Sequence, residues 1–96
     1  TADEFLGRVD LAEWQVEGVV AIAEFTLTPY AAAASLVAAI GEAADAADHH
    51  PDVHLRHPGV VRVELTTHWI GALSELDVKM AATVSTLARQ RGATVG

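Results

Sequence analysis

The stretch "VHLRHPGVVRVELTTH", residues 53–68, decides the fold because its apolar residues determine how two strands pair. In an antiparallel pair with one buried face, apolar side chains lie opposite one another. A three-residue turn at 57–59 achieves this by setting Val53 opposite Val63, whereas a two-residue turn would set Val53 opposite a glutamate. The stretch therefore predicts a hairpin with the longer turn, in which Gly59 adopts a positive φ.

A second pair of strands is predicted upstream, between Trp14 and Leu27. The run "GVVAIAEFTL", which begins at Gly18, is rich in β-branched and aromatic residues, and such residues favour strands. Because Gly18 interrupts the extended pattern, we expect two antiparallel strands joined near Glu17 and Gly18.

The helix between these strand pairs begins at "TPY". Thr28 can cap it, and Pro29 at the first helical position needs no amide hydrogen. The helix is expected to end near Ala47 or Asp48, because Pro51 keeps the residue before it out of the helical conformation. The residues at helical spacing on its apolar face are Tyr30, Ala34, Val37, Gly41 and Ala44.

Two further helices flank the strand pairs. Apolar residues at helical spacing predict a short helix from Ala2 to Ala12. The last helix opens at "SELD", where Ser74 is the expected cap and Asp77 takes the third helical position of a capping box. Gly92 marks the end of this helix.

The elements follow in the order α-β-β-α-β-β-α, which predicts an α+β fold with helices on one face of a four-stranded antiparallel sheet. A chain of 96 residues cannot divide its apolar side chains between two cores, so residues 1–96 are expected to form a single domain. Many of its apolar residues are alanines, which bury little area each. Self-association is therefore expected to supplement a modest core.

The composition excludes several classes of function. A net charge of -7 argues against direct binding to nucleic acid, which requires clustered cations. The chain has no cysteine, so its chemistry must come from His, Asp, Glu or hydroxyl groups. No stretch is long and apolar enough for a membrane span, and no signal sequence opens the chain. We therefore expect a protein of the cytoplasm with no membrane contact.

The candidate site is "DHHPD", residues 48–52, where adjacent histidines precede a proline. The histidines of the chain are His49, His50, His54, His57 and His68. Because a tight turn returns the second hairpin strand to the start of the first, His68 is expected near His49 and His50. Asp45, one helical turn earlier, can hydrogen-bond to His49 or orient it.

Plainer interpretations stand beside this one. The adjacent histidines suit a polar helix end, where the dipole favours cations, and Asp77 can serve only as a cap. Imidazoles can bind zinc, but adjacent histidines on extended backbone point apart and the helical HExxH spacing is missing, so no metal site is predicted. His54 and His57 are interpreted as exposed. Trp14 and Trp69 suit either a flat ligand or, more commonly for tryptophan, burial.

Three segments, "DAADHHPDV", "VVRVELTTH" and "GALSELD", resemble the signature of the pterin-4a-carbinolamine dehydratases. The resemblance extends from about Trp14 to the last helix and includes the order of elements. It implies a hydro-lyase that converts 4a-hydroxytetrahydropterin to quinonoid dihydropterin and water, without metal or organic cofactor, and that forms a homodimer or homotetramer. The residues carried over are His49 and His68 as catalytic acid and base, His50, Pro51 and Asp77 as pterin-binding residues, and Asp45 as a supporting residue.

The chain departs from that signature in the hairpin and after it. His57 replaces an aromatic residue, the interval from Pro51 to His68 is one residue longer, and Trp69 follows His68. If the turn did not absorb the extra residue, His68 would move to the other face of its strand. Because of these departures, an alternative function is considered, which is a non-catalytic oligomeric binding, coactivator or assembly module on the same fold.

Overall fold

The computed structural model describes Phe5 and residues 13–95, which form an antiparallel five-stranded sheet and two helices. The elements are β1 (Gln15–Glu17), β2 (Val20–Thr26), α1 (Tyr30–Ala47), β3 (Asp52–Arg56), β4 (Val60–Leu65), α2 (Glu75–Gln90) and β5 (Thr94–Val95). The helix predicted from Ala2 to Ala12 lies outside the described residues, apart from Phe5. None of the helices in the described part of the chain is long and apolar enough to cross a bilayer.

The α+β class is confirmed, but the predicted order of elements was incomplete, because it had four strands and ended with a helix. The order of the described elements is β-β-α-β-β-α-β, because β5 follows the last helix. The sheet order is β1-β2-β4-β3, and β5 pairs with the end of β2 through Thr26 and Thr94. A strand of two residues has too little pattern to be recognised in sequence, and its pairing with β2 depends on the path of the chain after α2.

The hairpin of β3 and β4 has the predicted register. Val53 lies opposite Val63, and residues 57–59 form the turn, so the turn absorbs the extra residue. The reason given for glycine in this turn was wrong, because Gly59 does not have a positive φ. Its carbonyl accepts a hydrogen bond from the Leu27 N–H at 2.9 Å, and a Cβ at position 59 would overlap the Leu27 carbonyl oxygen. Glycine is required here by the close approach of two backbones.

The sheet has one apolar and one charged face. Alternate residues of β2 and β4 are buried against the helices, and the core includes Phe25, Leu65 and Ile40. On the opposite face, Arg62 donates to Glu64 at 2.7 Å and to Glu24 at 3.4 Å. The hydrogen bond to Glu64 raises the pKa of Arg62, so this guanidinium remains charged.

Helix α1 ends where the sequence predicted, but its start differs. Pro29 is the N-cap and not the first helical residue, and no side chain caps the helix, so the cap predicted at Thr28 was wrong. At the other end, Asp48 adopts a left-handed conformation with φ of 51°. Its N–H donates to the carbonyls of Ala44 and Asp45 and closes the helix.

The buried face of α1 also differs from the predicted stripe. Tyr30 is 47% exposed and Gly41 faces solvent. The buried residues are Ala33, Leu36, Ile40 and Ala44. Because alanine occurs on every side of this helix, spacing alone does not separate its faces. Burial of the larger Leu36 and Ile40 side chains removes more apolar area from water and determines the orientation.

Candidate active site

His49 is directed toward α2 by the way α1 ends. The left-handed Asp48 turns the chain, and the His49 N–H donates to the Ala44 carbonyl at 3.2 Å. The His49 ring then reaches the first turn of α2, where its Nε2 lies 2.7 Å from Oδ1 of Asp77. The His49 side chain is 10% exposed and Asp77 is fully buried. The two residues form a shielded histidine–carboxylate pair.

Asp77 has three donors. Besides His49, the Thr67 hydroxyl and the Ser74 N–H each donate to its Oδ2 at 2.8 Å. The bond from Ser74 completes the predicted capping box of α2, in which the Ser74 hydroxyl accepts from the Leu76 N–H at 3.2 Å. A buried carboxylate is costly unless such donors compensate it. Asp77 therefore completes the capping box of α2 and anchors His49.

Thr67 connects this pair to the loop that carries His68. Thr67 is fully buried, and its Oγ1 also lies 2.6 Å from Oγ of Ser74. A hydroxyl has one proton, so the donation from Thr67 to Asp77 leaves Ser74 as the donor to Thr67. Sequence reasoning used Thr67 only as a spacer in "TTH". Its buried position on the apolar side of β4, in the series Val61, Val63, Leu65, was the signal that could have shown this role.

His68 lies in a tight turn after β4. Thr67 pairs with Ala72 in a short bridge, and the Gly71 N–H donates to the Thr67 carbonyl at 3.0 Å. The His68 side chain is exposed and makes no hydrogen bond or ion pair with any residue that the structure describes. His68 directly follows Thr67, which donates a hydrogen bond to Asp77. The His68 imidazole has no direct hydrogen bond to His49.

His50 forms a second pair that the sequence assigned differently. Its Nε2 lies 2.8 Å from Oδ1 of Asp45, and both side chains are exposed. The expectation that Asp45 orients His49 was therefore wrong. Successive side chains on extended backbone point to opposite sides, so His49 turns inward and His50 turns toward the exposed end of α1.

The remaining aromatic and histidine residues have separate positions. Trp14 is buried, and its Nε1 donates to Ser85 at 2.8 Å, as the plainer interpretation of a buried tryptophan predicts. Trp69 is 77% exposed beside His68. His54 and His57 are exposed strand and turn residues, as predicted. Within Phe5 and residues 13–95, no cluster of three or more His, Cys, Asp or Glu side chains is arranged to hold a metal ion.

A cleft opens beside His49 between α1 and α2. Its volume is ≈ 280 Å³, and His49 forms part of its wall. Ala47 of α1 and Lys79 of α2 also line it. The arrangement thus combines an anchored imidazole with an adjoining space for a small molecule, and proton transfer to or from a bound ligand needs both.

Comparison with known proteins identifies relatives over most of the chain. A family model described as pterin 4 alpha carbinolamine dehydratase matches residues 1–87. A Chloroflexus aurantiacus protein, provisionally named as a pterin-4-alpha-carbinolamine dehydratase, is 38% identical over 72 residues, which are 75% of this chain and 76% of that protein. A Saccharolobus solfataricus protein with the same provisional name is 40% identical over 68 residues, which are 71% of this chain and 69% of that protein.

Two solved structures resemble this fold. The crystal structure of a transcriptional coactivator/pterin dehydratase from Brucella melitensis has a TM-score of 0.78 and 31% identity, and the match covers 90% of each chain. A pterin dehydratase-like protein identified as a RuBisCO assembly factor in the α-carboxysome has a TM-score of 0.64. At 20% identity, over 78% of this chain and 86% of that one, it shows likeness of fold alone.

Fold and site together define an α+β domain with a histidine anchored on a buried carboxylate beside a small cleft. The family match extends over nearly the whole chain. The chain belongs to the pterin-4a-carbinolamine dehydratase family.

Proposed function

We propose that the protein catalyses the dehydration of 4a-hydroxytetrahydropterin to quinonoid dihydropterin and water. In this reaction the bond between C4a and the hydroxyl oxygen breaks, the oxygen takes up a proton and leaves as water, and a ring N–H loses a proton. The proposal depends on one observation above all. In a chain of this family, the imidazole of His49 is held by the buried carboxylate of Asp77 beside a cleft.

His49 has one ring nitrogen available for the chemistry. Its Nε2 carries a proton, because it faces the carboxylate of Asp77, which accepts hydrogen bonds. Its Nδ1 has no hydrogen-bond partner in the described part of the chain. This nitrogen accepts a proton when the ring is neutral and donates one when the ring is charged. His49 can therefore act as acid or base while it keeps its anchor.

His68 is the proposed second proton-transfer group. Its ring is exposed, so both nitrogens are accessible to a ligand. The turn that carries it is fixed through Thr67, which also donates to Asp77. A pair of imidazoles of this kind supplies the donor for the leaving hydroxyl and the base for the ring N–H, so the proposed mechanism requires no metal or organic cofactor.

The other residues hold the pterin or its catalytic groups. His50 and Pro51 are proposed to contact the substrate, and Asp45 orients His50 at 2.8 Å. Asp77 was expected to bind the pterin directly. Its full burial and three donors support a positioning role through His49 instead. We also propose that the protein forms a homodimer or homotetramer, as the family resemblance implies.

A stopped-flow ultraviolet assay of 4a-hydroxytetrahydropterin decay tests the proposal. Wild-type protein should accelerate the decay, and His49→Ala and His68→Ala should each lose about 100-fold or more, the usual contribution of general acid–base catalysis. His54→Ala is the matched control, because that side chain is 61% exposed on the sheet face opposite the helices and should leave the rate unchanged. A wild-type rate in both the His49 and His68 variants would rule out the catalytic assignment.

The second candidate function is a non-catalytic binding or assembly module. Trp69 and Ile70, 77% and 48% exposed, form an apolar tip on the turn beside His68, where a partner could dock. Folded wild-type protein that does not accelerate pterin decay would favour this function. Trp69→Ala should then weaken partner binding, whereas His49→Ala should not.

A further inference from the structure

The cleft beside His49 has mostly apolar walls. It lies between the C-terminal end of α1 and the first turns of α2, and its volume is ≈ 280 Å³. The apolar residues that line it are Ala43, Ala47, Leu76 and Met80. Small-molecule sites begin at about 300 Å³ and combine apolar walls with a few polar groups. The cleft is therefore suited to one small ligand or to part of one.

Lys79 supplies the positive charge in this lining. The Thr83 hydroxyl, also in the wall, is occupied, because it donates to the Lys79 carbonyl at 3.0 Å. The Lys79 ammonium makes no hydrogen bond or ion pair with the residues that the structure describes. The described arginines differ in this respect. Their partners are Glu24 for Arg56, Glu24 and Glu64 for Arg62, Thr86 for Arg89 and the Leu87 carbonyl for Arg91.

The position of Lys79 matters because the protein is acidic. The net charge of -7 repels anions from most of the surface. An ammonium with no carboxylate partner among the described residues, at the edge of a partly desolvated cleft, provides a local site where an anionic group is favoured. His49 in the same wall places this charge beside the group that we assign to catalysis.

We propose that the cleft receives the substituent at C6 of the pterin ring and that Lys79 binds an acidic group, a carboxylate or a phosphate, on that substituent. The identity of the ring rests on the proposed function. The substrate class is then an anionic pterin, in preference to one with a neutral side chain. Lys79 determines specificity and takes no part in the proton transfers.

Fluorescence titration with stable aromatic pterins tests this inference. The probes are pterin-6-carboxylate, the phosphate ester of 6-hydroxymethylpterin, and neutral 6-methylpterin. Wild-type protein should bind at least one of the anionic probes about fivefold more tightly than the neutral probe, as expected for a partly exposed ion pair. The preference should decrease as salt is added. Which anionic probe binds more tightly distinguishes carboxylate from phosphate.

Lys79→Met should abolish the preference and leave the Kd of 6-methylpterin unchanged. Arg89→Met is the matched control, because it removes the same charge from the same helix at a distance of about 15 Å, beyond the range of unscreened interaction. It should keep the fivefold preference. Both positions are exposed, so circular dichroism should show native folding for each variant.

The outcomes separate this inference from the proposed dehydration. A preference that depends on Lys79, in a protein that does not accelerate pterin decay, would support the inference and remove the proposed function. Turnover that depends on His49, without any preference for anionic probes, would support the proposed function and overturn the inference. Equal Kd values for all probes, a preference that persists in Lys79→Met, or no binding of any probe would overturn the inference.

Discussion

His49 and His50 are neighbours in the chain, and each lies against an aspartate at almost the same distance, yet the two pairs have opposite environments. The distance from Nε2 to Oδ1 is 2.7 Å in the pair of His49 with Asp77 and 2.8 Å in the pair of His50 with Asp45. The side chains are 10% and 0% exposed in the first pair, and 57% and 81% exposed in the second. Burial, and not distance, distinguishes them, because water and ions screen only the exposed pair effectively.

The comparison shows how a repeated residue type acquires two roles. Asp77 also receives hydrogen bonds from Thr67 and Ser74, so its removal would leave several buried donors without an acceptor. After loss of Asp45, the exposed His50 imidazole would hydrogen-bond to water instead. The first pair should therefore contribute to stability and hold His49 in place, whereas the second should contribute little to stability.

The largest effect is expected for Asp77→Ala. Removal of the buried carboxylate should lower the free energy of unfolding by about 3 kcal/mol, because it breaks a buried pair and leaves its partners unsatisfied. Urea denaturation measures the change. Asp45→Ala is the control and should change the value by less than about 0.5 kcal/mol. Similar losses in the two variants would show that burial does not separate the pairs.

A smaller effect is expected for Thr67→Val, which keeps the shape of the side chain but removes one donor to Asp77. The free energy of unfolding should fall by about 1 to 3 kcal/mol, and the rate of pterin decay should fall with it, because the anchor of His49 is loosened. Thr66→Val is the control, since that hydroxyl donates at 2.7 Å to the Val19 carbonyl, away from Asp77. Native stability and rate in Thr67→Val would show that Asp77 needs only its other donors.

The smallest effect concerns the exposed pair. A double-mutant cycle with Asp45→Ala and His50→Ala should give a coupling free energy below about 0.5 kcal/mol, decreasing further at high salt. The values come from urea denaturation at two salt concentrations, applied to the wild type, both single variants and the double variant. A coupling free energy above about 1 kcal/mol that does not decrease when salt is added would contradict the contrast between the pairs.

Much of the fold could be predicted because pairing in a half-buried sheet has few solutions. The opposition of Val53 and Val63 excluded the shorter turn, and "SELD" predicted a capping box that the structure confirms. The face of α1 could not be predicted, because its alanines give almost equal spacing on every side. The two-residue β5 carried no pattern of its own and depends on contact with β2.

For the candidate site, the sequence proposed residues but not their connections. Residue types, their order and the family resemblance indicated His49, His50, His68 and Asp77. The predicted partner of Asp45 was His49, and this was wrong, because the prediction followed distance along the chain. The left-handed Asp48 redirects His49 to α2, and Asp45 meets His50 instead. The alternation of β4 carried a signal for Thr67 that was not used, because a threonine in such a series is usually an ordinary strand residue. Lys79 gave no signal in sequence, because a lone lysine is usually an ordinary surface residue.

The sequence by itself determined the class of fold, the hairpin register and the cap of the last helix. Each of these depends on local spacing, which a single strand or helix expresses in its own residues. Only the tertiary structure decided that Asp77 holds His49 in a buried pair while Asp45 meets His50 in solvent. Those pairings join residues from different elements. They depend on how helices and sheet pack, and burial, which sets the strength of each pair, exists only after packing.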